Sequence, residues 1–388
     1  MIVRISEVCE QIRGVSYKPT DMTNSLTGIP ILRSNNISGD VINYNDLVYI
    51  KKERISPNQF LRKGDILICT SSGSKNLVGK AGLIERNLTS SFGAFCKVLR
   101  AYNISSEYLF HYFCSDAYRN KISTLSAGVN INNIRNEHID TLEIPIHTPA
   151  EERKIIKILS ETKFLILKRR EQLVKLEELA KSRFIEMFGD PVLNPYGFEV
   201  KNMGEVCTFY TGTGFPNVFQ GKSDGDFPFY KVGDISKNVQ NGFKELEYCD
   251  NYINKDVVDK IRGTIIPSGT IVFAKIGEAL KLNRRGLTIK NCLVDNNVMG
   301  VKPKEELNIS YFFQLMKDLD MEKYSASTTV PSVRKTILER IPILVPNLDI
   351  QNKYAEFIKQ LDKSKFRIKK SLEKLELTYK ALLQEYFG

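Results

Sequence analysis

The segment Ile144-Pro145-Ile146-His147-Thr148-Pro149 recurs 197 residues later as Ile341-Pro342-Ile343-Leu344-Val345-Pro346. After each copy the chain continues for about 40 residues without Gly or Pro. A repeat of this kind determines how many domains a chain of 388 residues contains. The recurrence predicts two copies of one unit. In each copy, a part that contains Gly and Pro is followed by a part that lacks both.

Further matches extend the repeat over the whole chain. The matching stretches are Glu7-Val8-Cys9 with Glu205-Val206-Cys207, Gly64-Asp65-Ile66-Leu67 with Gly269-Thr270-Ile271-Val272, Tyr108-Leu109-Phe110 with Tyr311-Phe312-Phe313, and Phe188-Gly189 with Phe387-Gly388. The offset rises from 198 to 205 and returns to 199, which short loop insertions explain. Each unit is therefore about 195 residues long.

Composition predicts a basic, globular, cytoplasmic protein. The chain has 56 Lys and Arg against 45 Asp and Glu, a net charge of +11, while hydrophobic residues make up 42%. These values exclude a mainly disordered chain. The absence of a long apolar run excludes a membrane span, and the segment Met1–Glu7 lacks the apolar core of a signal peptide.

Cysteine and histidine usage argues against metal or disulfide chemistry. The seven cysteines are scattered and never spaced as C-x-x-C, so we expect small buried apolar residues. The three histidines, His111, His138 and His147, are not clustered in the sequence. We therefore expect no metal site in this chain.

The sequence pattern of each unit changes at the second proline of the repeated segment, which is Pro149 in the first copy and Pro346 in the second. Before it, short apolar runs such as Ile66-Leu67-Ile68 lie between Gly, Asn, Ser and Pro, which predicts short strands and loops with some helix. After it, apolar residues recur with a period near 3.5, which predicts a long coiled-coil helix. The predicted seam residues are Ile155, Leu159, Ile166, Leu173, Leu176, Ala180 and Met187 in the first copy, and Tyr354, Ile358, Leu361, Ile368, Leu372, Leu375, Tyr379, Leu382 and Tyr386 in the second.

A helix of about 37 residues is roughly 55 Å long and cannot bury its stripe alone. We expect the two helices to pair as an antiparallel coiled coil with pseudo-twofold symmetry; packing of each stripe on its own unit, or on another protein, is the alternative. The first helix is expected to end at Gly189. The predicted fold is mixed α/β (α+β), with globular domains at 1–148 and 191–345 and helices at 149–190 and 346–388.

The joint Met187-Phe188-Gly189-Asp190-Pro191-Val192-Leu193-Asn194-Pro195, together with the duplication, closely resembles the DNA specificity subunits of Type I restriction-modification systems. The similarity spans essentially the whole chain. That family commonly has an acidic residue and Gln at the start of each long helix. The second copy carries Gln351, whereas Arg153 replaces the usual Gln in the first.

The resemblance implies a subunit without catalysis of its own. Each globular domain would read one half of a split site in double-stranded DNA, and the helices would set the gap. Two methyltransferase subunits, which would carry S-adenosylmethionine, would dock on this chain, and two endonuclease subunits would join for cleavage; this chain would bind no cofactor. The expected docking residues are Pro149, Ile155, Leu159, Phe188, Pro346, Tyr354, Ile358 and Phe387.

Polar and basic loops at matching places in the two copies are the candidate DNA contacts. Arg and Lys can pair with guanine, Asn with adenine, and hydroxyl groups with a base or a phosphate. In the first copy the candidates are Arg33, Asn35, Asn36, Ser71, Ser72, Ser74, Lys75, Asn76, Lys80, Asn130, Asn132 and Arg135. In the second copy they are Lys231, Lys275, Asn283, Arg284, Arg285, Ser327, Thr328, Thr329, Ser332 and Arg334. Solvated turns are the alternative interpretation. Because the loops differ between copies, we expect an asymmetric target.

Enzyme motifs are incomplete. The stretch Tyr210–Gly214 imitates a methyltransferase glycine loop but begins no helix, and Asn194-Pro195-Tyr196 lacks one proline of a base-flipping motif. Gly73–Lys80 resembles a phosphate-binding loop but has Ala81 where Ser or Thr would hold magnesium. Two other hypotheses stay open: a single-chain DNA methyltransferase or nuclease, and a structural adaptor that reads no sequence.

Overall fold

The computed structural model describes residues 1–73, 77–126, 133–191, 193–325 and 331–388. The chain divides into two compact units, which are Met1–Gln172 with Ile368–Gly388, and Leu173–Arg367. The predicted boundaries treat each long helix as a separate spacer. In the structure each unit instead takes in a part of both helices, because its core includes side chains from both.

The described part of the first unit combines short strands with several helices, and it also includes the helical segment Ile368–Gly388. The strands are β1 (Ile2–Arg4), β2 (Cys9–Arg13), β3 (Ile29–Leu32), β4 (Ile37–Ser38), β5 (Val41–Ile42), β6 (Val48–Ile50), β7 (Ile66–Cys69), β8 (Ala81–Leu83), β9 (Ser91–Phe92), β10 (Cys96–Ala101) and β11 (Glu143–Pro145). The helices are α1 (Ser106–Cys114), α2 (Asp116–Ser126), α3 (Asn136–Asp140) and α4 (Pro149–Phe188).

Two sheets organise the first unit. One is a four-stranded antiparallel sheet in the order β2-β10-β7-β8, and the other has the order β6-β3-β9 with β3 and β9 parallel. The predicted strand Ile66-Leu67-Ile68 forms most of β7 and is fully buried. A run that is apolar on both faces suits a central strand covered on both sides. Strand β1 pairs with β11, which brings the start of the unit to the residues before α4.

The second unit repeats this plan. Its strands are β12 (Glu199–Asn202), β13 (Cys207–Thr211), β14 (Phe227–Tyr230), β15 (Tyr252–Ile253), β16 (Ile271–Ala274), β17 (Gly286–Leu287), β18 (Leu293–Val294), β19 (Val298–Pro303) and β20 (Pro342–Val345). Its helices are α5 (Met203–Val206), α6 (Val232–Gln240), α7 (Lys255–Lys260), α8 (Glu278–Lys281), α9 (Ile309–Asp318), α10 (Lys335–Leu338) and α11 (Leu348–Phe387).

The sheet orders β13-β19-β16-β17 and β15-β14-β18 correspond strand by strand to those of the first unit. The internal repeat and the mixed fold class are thereby confirmed. The copies differ after β3 and β14: a hairpin of β4 and β5 follows the first, and helix α6 follows the second.

Helices α4 and α11 are each 40 residues long. In the first unit Arg170 of α4 forms an ion pair with Glu376 of α11 at 2.6 Å, and in the second unit Glu177 of α4 pairs with Lys365 of α11 at 2.7 Å. A second contact in each unit fixes the direction: His111 joins Ser160 of α4 to Tyr379 of α11 in the first, and Tyr354 of α11 donates to the Ala180 carbonyl of α4 in the second. Within each unit the two helix segments therefore run antiparallel, as predicted. Neither these helices nor any other in the described ranges is long and apolar enough to cross a membrane.

The ends of the long helices close the domain cores. Phe387 of α11 lies 5.1 Å from Tyr108 in the first unit, and Phe188 of α4 lies 4.6 Å from Tyr311 in the second, both between ring centroids. The predicted seam misses these residues and passes through Met187 and Tyr386, which are only half-buried. The seam is wrong there because a 3.5-residue repeat drifts around a straight helix, and because these ends pack on a domain as well as on a helix.

The first long helix ends at Phe188 and is capped by Gly189, as predicted. The Gly189 N–H donates to the Ile185 carbonyl at 2.8 Å, and Gly189 has a φ of 72°, which an L side chain rarely adopts. A Cβ at this position would also lie 2.4 Å from Pro195 Cγ. Glycine is thus required both for the cap and for the close approach of the following segment.

Candidate nucleic-acid interface

A tight turn, Gly93-Ala94-Phe95, joins three parts of the first unit. The Gly93 N–H donates to the Leu32 carbonyl at 2.9 Å, and the Ala94 N–H donates to the Val15 carbonyl at 3.0 Å. The Phe95 carbonyl accepts from the backbone N–H groups of Thr70 and Ser71 at 2.9 and 3.1 Å. The turn therefore holds together the ends of β3 and β7 and the segment that follows β2.

The third predicted stretch reaches the same place. Asn133 forms a backbone bridge with Ser71, and the Ile134 N–H donates to the Thr70 carbonyl at 2.7 Å. The structure thus brings together loops that are far apart in the sequence. We call this surface the first edge, and its residues are 14–17, 33–36, 70–73, 93–95 and 133–135.

The second unit builds a corresponding surface with several equivalent backbone bonds. Thr213 forms a bridge with Asp295, and the Asn297 carbonyl accepts from the Lys275 N–H at 2.8 Å. The Val333 N–H donates to the Lys275 carbonyl at 2.9 Å. We call this surface the second edge, and its residues are 212–214, 231–234, 274–277, 295–297 and 331–334.

Glycine is needed where each edge is most tightly packed. A Cβ on Gly14 would lie 2.1 Å from the Gly93 carbonyl oxygen, and one on Gly212 would lie 1.7 Å from the Asp295 carbonyl oxygen. The likeness of Tyr210–Gly214 to a methyltransferase glycine loop therefore has a packing explanation. Gly212 leaves room for the neighbouring turn, as Gly14 does in the first unit.

Three predicted contact residues follow β3 and make bonds within the protein. Arg33 donates to the carbonyl and the carboxylate of Asp46 at 2.8 and 3.2 Å, and Asn35 donates to the same carboxylate at 3.2 Å. Asn36 is 1% exposed, and its amide donates to the carbonyls of Asn43 and Asn45. Asn36 is therefore a structural residue and not a DNA contact, because its side chain is used to hold the loop.

The other described candidates of the first unit are more open. Ser71, Ser72 and Lys80 are half-buried. Arg135 is exposed, and its guanidinium lies 3.3 Å from the Glu137 carboxylate. The predicted contacts Ser74, Lys75, Asn76, Asn130 and Asn132 lie outside the described residues.

On the second edge, Lys231 donates to Gln220 and lies 5.6 Å from the centroid of the Phe215 ring. Lys275 and Ser332 are half-buried, and Arg334 is exposed. Ser327, Thr328 and Thr329 lie outside the described residues.

Two of the three predicted contacts at 283–285, Asn283 and Arg285, have a different role from the predicted one. Arg285 is 4% exposed, donates to the carbonyls of Met316 and Leu319, and packs over the Phe273 ring at 4.9 Å. Burial lowers the pKa of Arg285 to about 10. Asn283 accepts from Arg285 and donates to Lys317, and Arg284 is half-buried. Arg285 and Asn283 therefore connect the segment after α8 to the end of α9, and their side chains serve this connection and not DNA contact.

The predicted docking residues are mostly core residues. Ile155, Leu159, Phe188, Tyr354, Ile358 and Phe387 are at most 9% exposed. Docking through these side chains is contradicted by their burial. Pro149 begins α4, and Pro346 precedes α11. Both prolines stay candidate docking residues.

The first turn of each long helix binds the start of a domain helix. Glu152 accepts a hydrogen bond from the Ser105 N–H at 2.8 Å, and Gln351 accepts one from the Asn308 N–H at the same distance. Glu152, and not Arg153, therefore occupies the place of the family's Gln. The motif joins α4 to the N-terminus of α1, and α11 to that of α9.

The sequence prediction omits one prominent residue of the first edge. Phe95 is 67% exposed although Phe92 and Cys96 beside it are buried. Because it stands in the run Ser91-Phe92-Gly93-Ala94-Phe95-Cys96, the sequence gives no sign that this ring faces solvent.

Comparison with known proteins agrees with this construction. A family described as "Type I restriction modification DNA specificity domain" matches residues 1–177 and 195–378. The EcoKI specificity subunit of Escherichia coli (strain K12) is 43% identical over 159 residues, covering 40% of this chain and 34% of that protein. The chain thus matches about a third of that relative's length.

Longer matches are more distant. The MjaIX specificity subunit of Methanocaldococcus jannaschii is 25% identical over 343 residues, covering 83% of this chain and 76% of that protein. The crystal structure of a Type I system S subunit from M. genitalium shares the fold, with a TM-score of 0.58, 16% identity, and coverage of 100% and 96% of the two chains. The two matched segments and the repeated fold together show that the chain belongs to the family of Type I restriction-modification DNA specificity proteins, with two copies of the family's domain.

Proposed function

We propose that this chain reads a double-stranded DNA site made of two unlike halves, one half at each edge. The observation that carries the proposal is the duplication of the edge: several equivalent backbone bonds recur in both units, and the side chains presented there differ. The same framework at both edges suits the same duplex geometry, whereas different side chains suit different bases. The net charge of +11 adds attraction to phosphates that does not depend on sequence.

Residues that are identical at both edges suit phosphate contacts. Arg135 and Arg334 occupy equivalent positions just before α3 and α10, and both are exposed. Positions that differ suit base contacts: Ser71 in the first edge corresponds to Ile276 in the second. Phosphate contacts position a protein on DNA, and contacts with base edges select the sequence.

We further propose that each unit docks one methyltransferase subunit in a groove beside its long helix. The first unit has a groove of about 1130 Å³ whose lining includes Ser106 and Phe164. The second has one of about 660 Å³ whose lining includes Ile309 and Phe366. The grooves occupy equivalent places between α1 and α4, and between α9 and α11. Each has an exposed aromatic ring, which favours docking there over docking at the buried residues predicted from the sequence.

In this proposal the chemistry belongs to the partners. Two methyltransferase subunits, carrying S-adenosylmethionine, act on the site that this chain selects, and two endonuclease subunits join for cleavage. The curated relatives are named specificity subunits, which accords with a recognition role.

Mapping N6-methyladenine at base resolution tests the recognition proposal. Cells that carry this chain with its methyltransferase partner are compared with cells from which only this chain is deleted. We expect methylation to disappear at one asymmetric two-part motif with a constant gap. Loss of a continuous motif, or no loss at all, would contradict the proposal.

Charge substitutions in the grooves test docking. We expect Phe164→Asp and Phe366→Asp each to reduce the purified complex from two methyltransferase subunits to one, and the double variant to bind none. Leu377→Asp, which alters an exposed residue of α11 outside both grooves, is the matched control. Full stoichiometry of the double variant, measured by mass determination in solution, would reject these grooves as docking sites.

A further inference from the structure

The turn at the centre of the first edge presents an aromatic ring to solvent. Phe95 is 67% exposed, while Phe92 and Cys96 are 0% and 1% exposed. A phenylalanine left in water forgoes the stabilisation that burial would give. Isolated exposed apolar residues are common, so the exposure needs further support from the surroundings of the ring.

The first support is the rigidity of the turn. The Phe95 carbonyl accepts three hydrogen bonds, from Thr70 N, Ser71 N and Thr70 Oγ1, at 2.9, 3.1 and 3.2 Å. The Cys96 N–H closes the turn by donating to the Gly93 carbonyl at 2.9 Å. The backbone that carries the ring is thus held in place before any ligand arrives, which lowers the entropy lost on binding.

The second support is the counterpart in the other unit. Asn297 takes the same place in the turn: its carbonyl accepts from Lys275 N at 2.8 Å, and the Val298 N–H closes the turn onto the Asp295 carbonyl at 3.0 Å. The Asn297 N–H donates to the Asp295 carboxylate at 2.7 Å, which also holds this backbone. Asn297 is exposed. One framework therefore presents a phenyl ring at one edge and a primary amide at the other.

These two groups suit different bases. In the major groove a phenyl ring can contact the methyl group of thymine, and an Asn amide can form two hydrogen bonds with adenine N6 and N7. We propose that Phe95 and Asn297 are specificity-determining residues, with Phe95 contacting a thymine methyl in one half-site and Asn297 pairing with an adenine in the other. This inference rests on the proposed function, since it assigns base contacts within the two edges.

The test measures binding of the complete complex to its own target duplex at constant salt. Each thymine is replaced in turn by deoxyuridine, which removes only the methyl group. For the native complex, we expect one replacement, in the half read by the first edge, to weaken binding about fourfold, as the loss of one buried methyl predicts. For Phe95→Ala the same replacement should cause no further loss.

Variants separate this contact from general damage. Phe95→Leu keeps an apolar group and should keep part of the sensitivity to deoxyuridine. Leu26 is 91% exposed and precedes the start of β3, whereas the first edge follows the end of that strand. Leu26→Ala should therefore keep the deoxyuridine sensitivity of the native chain. Asn297→Ala should lower discrimination at one adenine of the other half-site by about tenfold and leave the deoxyuridine effect unchanged.

The outcomes distinguish the two proposals. If the native complex prefers no sequence, the proposed function fails. If it binds a specific site but no deoxyuridine replacement weakens binding, or if Phe95→Ala leaves the effect intact, the function stands and the assignment of Phe95 is wrong. A phenyl ring inserted between base pairs would leave binding insensitive to every deoxyuridine replacement, because insertion does not depend on the methyl group.

Discussion

His111 is a buried neutral histidine that links three helices of the first unit. Its Nδ1 lies 2.9 Å from the Tyr379 hydroxyl of α11, and its Nε2 lies 3.0 Å from the Ser160 hydroxyl of α4. Burial, together with the charge of Lys163, lowers the pKa of His111 to about 3. The unfolded chain, with an ordinary histidine pKa near 6.5, binds a proton that the folded chain does not bind between these two pH values.

The stability of the chain should therefore depend on pH through His111. Its contribution is full above about pH 6.5 and falls by up to about 1.4 kcal/mol per unit as the pH drops towards 3. His111→Gln gives the first unit the residue that the second carries at the equivalent position, Gln314, and should flatten this dependence. Urea unfolding at pH 7.5 and pH 5 measures the difference. Equal losses of stability in the native chain and in the variant would contradict this account.

Asp65 and Arg100 form a nearly buried ion pair between β7 and β10. Two hydrogen bonds of 2.8 Å join them, and the Asp65 side chain is 1% exposed. Asp65→Ala leaves the guanidinium without this partner and should lower the free energy of unfolding by about 3 to 5 kcal/mol. The exposed pair Lys255 and Asp259 is the matched control, since Asp259→Ala should cost at most about 1 kcal/mol. Similar losses in both variants would refute the difference.

Single residues of the interface were the least predictable feature. Asn36 and Arg285 are polar residues in predicted loops. Asn36 nevertheless bonds to backbone carbonyls of its own loop, and Arg285 is buried against α9. Phe95 belongs to an apolar run but faces solvent. In each case the outcome depends on groups distant in the sequence, which local composition does not reveal.

At the scale of elements, the ends of α4 and α11 matter more than their middles. Phe188, Phe184, Leu383 and Phe387 are buried in the domain cores, whereas Leu377 is 70% exposed. The heptad pattern predicted both helices, and the connectivity of the chain predicted that they pair antiparallel. The heptad pattern did not predict these end contacts, because the rings of Tyr108 and Tyr311 that receive Phe387 and Phe188 come from domain helices.

Truncating the terminal rings should destabilise the unit that each ring completes. Phe387→Ala and Phe188→Ala should each lower the free energy of unfolding by about 3 to 5 kcal/mol, because each leaves a cavity among aromatic side chains. Leu377→Ala should change it by at most about 0.5 kcal/mol. Chemical denaturation measures all three. A loss in Phe387→Ala no larger than that in Leu377→Ala would show that the helix end does not close the core.

At the scale of the whole molecule, the repeat was the feature most readily read from the sequence. It predicted two copies of one mixed fold because matches such as Glu7-Val8-Cys9 with Glu205-Val206-Cys207 persist along the chain. It did not predict that residues after β3 form a hairpin while those after β14 form α6. Both segments follow equivalent strands, so their conformation depends on local sequence that has diverged between the copies.

The arginines common to both edges should act through phosphates. Arg135→Ala and Arg334→Ala should each weaken binding to specific and to random duplexes alike. Each should also lower the slope of log affinity against log salt concentration by about one. Lys374→Ala, on α11 outside both edges, should leave the slope unchanged. A selective loss for the specific site, measured by anisotropy over a salt series, would instead assign base contacts to these arginines.

Selection of bound duplexes from a randomised pool tests the central claim most directly. The complex of this chain with its methyltransferase subunits is equilibrated with the pool, and the retained sequences are aligned. We predict two short blocks of unlike sequence, separated by a gap of constant length in which no base is preferred. A single continuous block, two identical inverted blocks, or no enrichment would contradict recognition of unlike half-sites by two unlike edges.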